Sequence, residues 1–305
     1  MSLEVTGGTY DRTYNTADST SGPPNGGWPD LADPATVSGF RMDKYLVTVG
    51  RFRQYVNYVT GAGGAPPANG SGIHTHLNCG LGLANSGSAG TYEMGWESTD
   101  WNTYIATGAG AASTWNTNLS CDATYETWTT TAGTQETLPI NCVTWYEAYA
   151  FCIWDGSFLP SEAEWEYVAA GGNEQLEYPW DSTDPGTANQ YAIYGDDNGD
   201  CYYPTGTLAS CMGVANIAPV GTARQGAGYW GQLDMAGEVW EWNLDWYATY
   251  VNPCINCAYL TTTSSLAIRG GVFDYAAAYL LPPYRVSGYP MARSYNFGFR
   301  CARAP

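Results

Sequence analysis

A single lysine, Lys44, stands in a chain of 305 residues, and only 13% of the residues are charged. Long surface helices need Glu, Lys and Arg in quantity, so this scarcity argues against a helix bundle. The chain instead carries 37 Gly, 25 Tyr and 13 Trp, which suit turns, ordered loops and aromatic packing. Hydrophobic residues make up 44% of it, enough to bury a core. The expectation is a loop-rich fold held by aromatic side chains.

The few charges are also one-sided. A net charge of -18 repels phosphate backbones and anionic lipid, so nucleic acid and membrane surfaces are poor partners. No apolar run approaches the ~18 residues of a membrane-spanning helix, and no signal segment is present. Met-Ser-Leu reads as the start of a trimmed chain, so the missing signal says little about location.

Nine cysteines carry more information. Cys254 and Cys257 form one CxxC, with no second to complete a zinc site. Cys201 and Cys211 flank a short loop that a disulfide could close. With few charges and much Gly, Ser, Thr and Asn, an oxidising compartment is the expected home. The odd count leaves a free thiol, expected at Cys79.

Residues 7–35 show little periodicity and read as turns. "FRMDKYLVTVGRFRQYVNYV" predicts a short strand, then a helix capped by Thr48. The stretch 60–135 reads as long ordered loops rather than a linker, because Trp101 and Trp115 need burial. Thr144 with Glu147, and Ser161 with Glu164, have capping-box spacing and predict two helix starts. Gly171-Gly172 should stop the second helix. No repeat and no boundary between two cores is visible, so residues 1–305 are expected to be one domain.

"GGTY", "MDKYLVTVGRFRQYV", "LPINCVTWYEAYAFCIW", "LPSEAEWEYVAAGG", "YPWD", "GQLDMAGEVWEWNLDWY", "IRGG" and "GFRCAR" follow one another in fixed order. The series resembles the formylglycine-generating enzyme family, also called sulfatase-modifying factors, with the 60–135 loops as an insertion. The resemblance implies an α+β, C-type-lectin-like fold with little regular structure and, in many members, an extracytoplasmic home. It implies a Cys152–Cys301 disulfide between the "YAFCIW" helix and the C-terminal strand. It also implies a structural calcium held by Asp234, the carbonyls of Gly237 and Val239, and Glu241, oxygen ligands of the kind this hard cation takes. A second, weaker calcium site would start at Asn189 and Gln190. "DDNGD", Asp196 to Asp200, begins like an EF-hand loop, but Cys201 and Thr207 take its glycine and glutamate positions, so an acidic turn is expected.

The oxidases of this family use two cysteines after Arg-Gly-Gly to bind copper and activate oxygen, and soft copper(I) needs thiolates. Here no cysteine lies between Cys257 and Cys301, and Tyr275 and Leu280 take the two thiol positions. No copper is expected, and no oxidase chemistry. The family's sulfoxide synthases use a His-rich iron site. This chain has only His74 and His76, in "GIHTH". These two could hold a metal weakly from one side of an extended segment; they are read as ordinary loop residues.

If the frame is kept and the thiols are gone, the segment between Arg-Gly-Gly and Gly-Phe-Arg should bind rather than oxidise. Its candidate surface is Phe273, Asp274, Tyr275, Tyr279 and Tyr284 with Arg285, Tyr289, Arg293 and Tyr295. Tyrosine and arginine are enriched at recognition surfaces. The tract also resembles the variable region of retroelement-diversified proteins, which would make 272–297 hypervariable. The expected partner is a protein, peptide or glycan, and the expected state a monomer. An enzyme of unrecognised chemistry, using Asp274 or Arg285, is the alternative.

Overall fold

Strands β1 (Ser2–Val5), β2 (Gly8–Tyr14), β3 (Leu31–Val37) and β4 (Phe40–Asp43) open the chain. The computed structural model describes residues 1–14 and 31–305; the rest of the stretch read as turns, 15–30, lies outside them. That reading needs correction on either side, since β2 pairs antiparallel with β3. The missed signal is a period of two: Tyr10, Arg12 and Tyr14 are buried while their neighbours are not.

Helix α1 (Val49–Thr60) starts as expected, with the Thr48 side chain accepting the Arg51 N–H. The 60–135 stretch contributes α2 (Ser98–Trp101), α3 (Ala111–Asn118) and the two-residue strand β5 (Ala84–Asn85). Trp96 and Trp115 are fully buried there and Trp101 is half-buried, so the loops are ordered by their tryptophans. Both expected capping boxes are present, on α4 (Trp145–Trp154) and α5 (Glu162–Ala169). Gly171 and Gly172 then take the left-handed conformation (φ 68° and 67°) and end α5.

Beyond α5 the chain makes β6 (Asp200–Cys201), β7 (Ala209–Ser210), β8 (Trp240–Trp246), β9 (Cys254–Ile255), β10 (Cys257–Ala258), β11 (Leu266–Arg269), β12 (Arg285–Gly288), β13 (Phe297–Gly298) and β14 (Ala302–Arg303). The central sheet has the order β12-β11-β8-β13, while β1, β4 and β14 form a second sheet. Asp196 closes an acidic turn by accepting the Asn198 and Asp200 N–H groups. The core between the central sheet and α1, α3 and α4 is aromatic: Phe52 packs on Trp115, Phe151 and Phe299 with centroids 5.6–6.2 Å apart. Burying each such ring contributes about 2–3 kcal/mol.

Four disulfides cross-link the fold. Cys152–Cys301 and Cys201–Cys211 are those expected, while Cys121–Cys142 and Cys254–Cys257 were not foreseen. Cys79 is free and exposed, as expected. Four disulfides fit an oxidising compartment. Among the described residues no helix is long and apolar enough to cross a membrane.

Candidate functional site

The tail between Arg269 and Arg300 is held by its two bracketing arginines, both fully buried. Arg269, at the end of β11, donates to Glu162 and Glu166 of α5 (2.8 Å each) and to the carbonyls of Pro282 and Tyr284. Arg300 donates to both oxygens of Glu241 on β8 (2.7 and 2.9 Å) and to the Asp234 carbonyl. Gly270 and Gly271 (φ 105° and 79°) turn the chain off the sheet, and a Cβ on Gly271 would stand 2.9 Å from the Tyr279 carbonyl oxygen.

The candidate side chains between these brackets divide into two groups. Tyr275, Tyr279 and Tyr284 gather around Trp240, with centroids 6.1–6.4 Å from its ring. They also touch one another, at 5.0 and 4.8 Å. Tyr275 is 38% exposed and Tyr289 70%, so both meet solvent. The second group faces inward. Phe273 is fully buried against Tyr125 and Tyr295, a core residue rather than part of a surface. Arg285 grips Glu162 (2.8 and 2.6 Å) and lies over the Tyr247 and Tyr250 rings. Arg293 grips Glu147 (2.7 and 2.6 Å). The two arginines fasten the tail to α5 and α4, leaving a surface that is mainly tyrosyl.

Asp274 accepts the Tyr295 hydroxyl through one oxygen (2.9 Å), while its other oxygen is buried with no partner among the described residues. Burial pushes the Asp274 carboxyl up, and burial followed by the neighbouring Tyr279 raises Tyr284 to about 12. Tyr275 and Leu280, the residues expected at the two thiol positions, are respectively half-exposed and fully buried.

The residues expected around calcium are buried but separately engaged. Glu241 belongs to Arg300, whereas Asp234 accepts the Gly221 N–H (2.7 Å) and is raised to about 6, chiefly by burial. Glu238, which the sequence reading passed over, accepts the Ala218 N–H (2.7 Å); burial and then Asp234 push its carboxyl well up. Gly237 is left-handed and donates to the Gly270 carbonyl, while Val239 is fully buried. Asn189 leaves a buried side-chain oxygen without a described partner, and the Gln190 carbonyl accepts the Gln225 N–H. Among the described residues no three His, Cys, Asp or Glu side chains are grouped as metal ligands.

His74 differs most from expectation. It is fully buried, donating from Nδ1 to Glu93 (2.9 Å) and from Nε2 to Glu164 (3.1 Å). Burial alone would lower the imidazole, but the two carboxylates outweigh it and hold it at about 10. His76 stacks on Phe158. Because the folded value lies above the free value of 6.5, the stability from His74 is complete below that pH and fades as pH rises through about 10. His74→Gln should therefore cost ~3 kcal/mol near pH 6, as when a buried charge loses its partner. Thermal melts at pH 6 and pH 10 check this, and a gap from wild type that did not narrow at the higher pH would contradict it.

The pattern described as the sulfatase-modifying factor enzyme 1-like domain matches residues 2–305. The chain belongs to this family. Within it, the formylglycine-generating enzyme of Streptomyces coelicolor is 35% identical over 173 residues, 54% of this chain and 52% of that protein. The formylglycine-generating enzyme of Mus musculus is 28% identical over 282 residues, 88% of this chain and 66% of that one. The chain thus spans between about half and two thirds of the length of these relatives. Among solved structures, PvdO from Pseudomonas aeruginosa superposes with a TM-score of 0.57 at 18% identity, covering 100% of this chain and 94% of its own. Treponema denticola variable protein 1 gives 0.53 at 19%, covering 100% and 95%. At these identities the likeness is one of fold. The sulfatase-modifying-factor scaffold and its C-type-lectin-like fold, implied by the motif series, are therefore those of this chain.

Sequence reasoning missed the partners that shape the site: Trp240 at the tyrosine cluster, and the glutamates Glu147, Glu162 and Glu166 behind it. Trp240 lay within a quoted motif but carried no sign of its role. The two capping-box glutamates were read only as helix starts, and neither the Arg293 bond to Glu147 nor the His74 bond to Glu164 has a local signal.

Proposed function

We propose that the protein is an extracytoplasmic binding protein on the formylglycine-generating-enzyme scaffold, presenting the tyrosine surface of 272–297 and performing no oxidase reaction. The observation that carries this reading is the gathering of Tyr275, Tyr279 and Tyr284 around Trp240, with buried Leu280 at the second thiol position. Flat, amphipathic rings offer contact area at low entropy cost.

Tyr275→Ala and Tyr289→Ala should each lower affinity for a ligand found on a peptide or glycan array by ~2 kcal/mol, with melting nearly unchanged. Early melting with affinity per folded molecule intact would make these tyrosines core and refute the surface. Oxygen uptake with copper and a cysteine-containing peptide should stay at the no-protein level; uptake that needs the protein would overturn the non-oxidase reading.

A structural calcium beside Asp234 remains part of the proposal. Asp234 and Glu238 are two buried carboxylates near one another, each accepting an amide N–H, and a hard cation suits that oxygen set. Glu241, held by Arg300, does not fit as a ligand without giving up that pairing. Chelation should lower the melting temperature, since a ligand of the native state stabilises it by mass action. If neither chelation nor Asp234→Ala shifts melting, the segment is only a turn.

A further inference from the structure

A cleft of about 380 Å³ opens where residues 91–95 and 260–262 lie across the end of β8. Trp240 and Trp246 stand at opposite ends of this seven-residue strand, ~20 Å apart by strand geometry. The cleft at Trp246 is therefore separate from the tyrosine surface at Trp240.

Its floor and walls are aromatic. Trp145 and Tyr149 of α4 lie almost wholly buried at the bottom, and half-buried Trp101 and Trp246 line the sides. The rim adds the polar side chains of Asn85, Ser88, Thr91, Thr261 and Thr262 beside the exposed Tyr92 and Met94. The rim is also fixed in place. The Asn85 side-chain oxygen accepts the Gly87 and Leu260 N–H groups (3.0 Å each), and β5 pairs with β10.

Charge decides what such a cleft can hold. Among the described residues no arginine or lysine lines it, so an anionic ligand finds no counter-charge there. The one carboxylate among its described lining residues, Glu93, is buried; it accepts the His74 ring N–H and the His74 and Leu83 backbone N–H groups. Its burial and these three N–H donors take up the carboxylate, so little of it is left to hold a cationic ligand. A purely apolar ligand would leave the hydroxyl and amide rim unused. What fits is a neutral molecule with one apolar face and a hydroxylated edge. A pyranose ring has both, its C–H face for tryptophan and its hydroxyls for the rim. We propose that the cleft is a binding site for a neutral saccharide. Its volume falls near the low end of the ~300–1,000 Å³ of ligand clefts, which suits a mono- or disaccharide.

The test is tryptophan-fluorescence and calorimetric titration of the full chain with glucose, galactose, mannose, N-acetylglucosamine and their disaccharides. Choline and N-acetylneuraminate serve as the cationic and anionic comparators. The expected result is saturable binding of at least one neutral sugar. Trp246→Ala and the exposed rim change Thr261→Val should each weaken it about ten-fold or more, while Tyr275→Ala leaves it unchanged. No saturable response to any neutral sugar up to about 10 mM, beyond which affinity is under ~3 kcal/mol, would overturn the proposal. So would preferred binding of choline or N-acetylneuraminate, or sugar binding that Thr261→Val and Trp246→Ala both leave intact. Sugar binding lost in Tyr275→Ala would also overturn it, by placing the sugar at the tyrosine surface.

Discussion

Replacing Cys152 and Cys301 together by serine is expected to lower the unfolding free energy by about 5 kcal/mol in the chain-entropy account. The bond joins residues separated by 149 in sequence, and both sulfur-bearing residues are fully buried, linking α4 to the residue before β14. Without it the unfolded chain regains the freedom of that loop. Domains of ordinary stability have only about 5–15 kcal/mol in all, so the variant should be close to unfolding at room temperature. Cys201–Cys211 spans a separation of 10, and the same account gives it about 3 kcal/mol. Urea unfolding of the two serine pairs, without reductant, tests the order. If opening the short loop cost as much as opening the long one, loop entropy would not be the cause.

Arg269→Met is expected to cost about 3–5 kcal/mol, the usual penalty for taking one partner from a buried ion pair. The guanidinium is fully buried and donates to Glu162, Glu166 and two tail carbonyls, so its loss also frees the tail from α5. Arg269→Lys should not rescue it, because an ammonium lacks the planar fork that reaches these acceptors together. The pH dependence has a definite sign. Burial raises the Glu166 carboxyl to about 7 despite Arg269. Below that pH Glu166 takes up a proton and needs the cation less. The deficit of Arg269→Met, read from urea unfolding, should therefore be larger at pH 8 than at pH 5. An equal deficit at both would mean that the Glu166 pairing contributes nothing.

The parts of the fold legible in the sequence are those whose cause is local. Thr48, Thr144 and Ser161 announce their helices because a cap acts within three residues. The Gly171-Gly172 stop is likewise a property of two adjacent φ angles. The ordered motif series carried the rest, including Cys152–Cys301. What could not be read is whatever joins distant segments. His74 meets Glu164 across 90 residues, and Arg293 meets Glu147 across 146. A histidine in "GIHTH" therefore looked like an ordinary loop residue, and Arg285 and Arg293 looked like surface groups. Cys121–Cys142 belongs to the same class, since pairing depends on which loops the fold brings together. The β2–β3 hairpin was missed for a different reason: its buried period of two was masked by short polar residues.

The sheet of β1, β4 and β14 places the first strand and the last on either side of the same central strand. Both run antiparallel to β4, so the described chain enters beside Asp43 on one edge of this sheet and leaves beside Arg41 on the other, two strand spacings (~10 Å) across. Such a body can be spliced into a surface loop of a host protein without a long connector at either junction. It can equally be permuted, its old ends joined by a short bridge and new ones opened elsewhere.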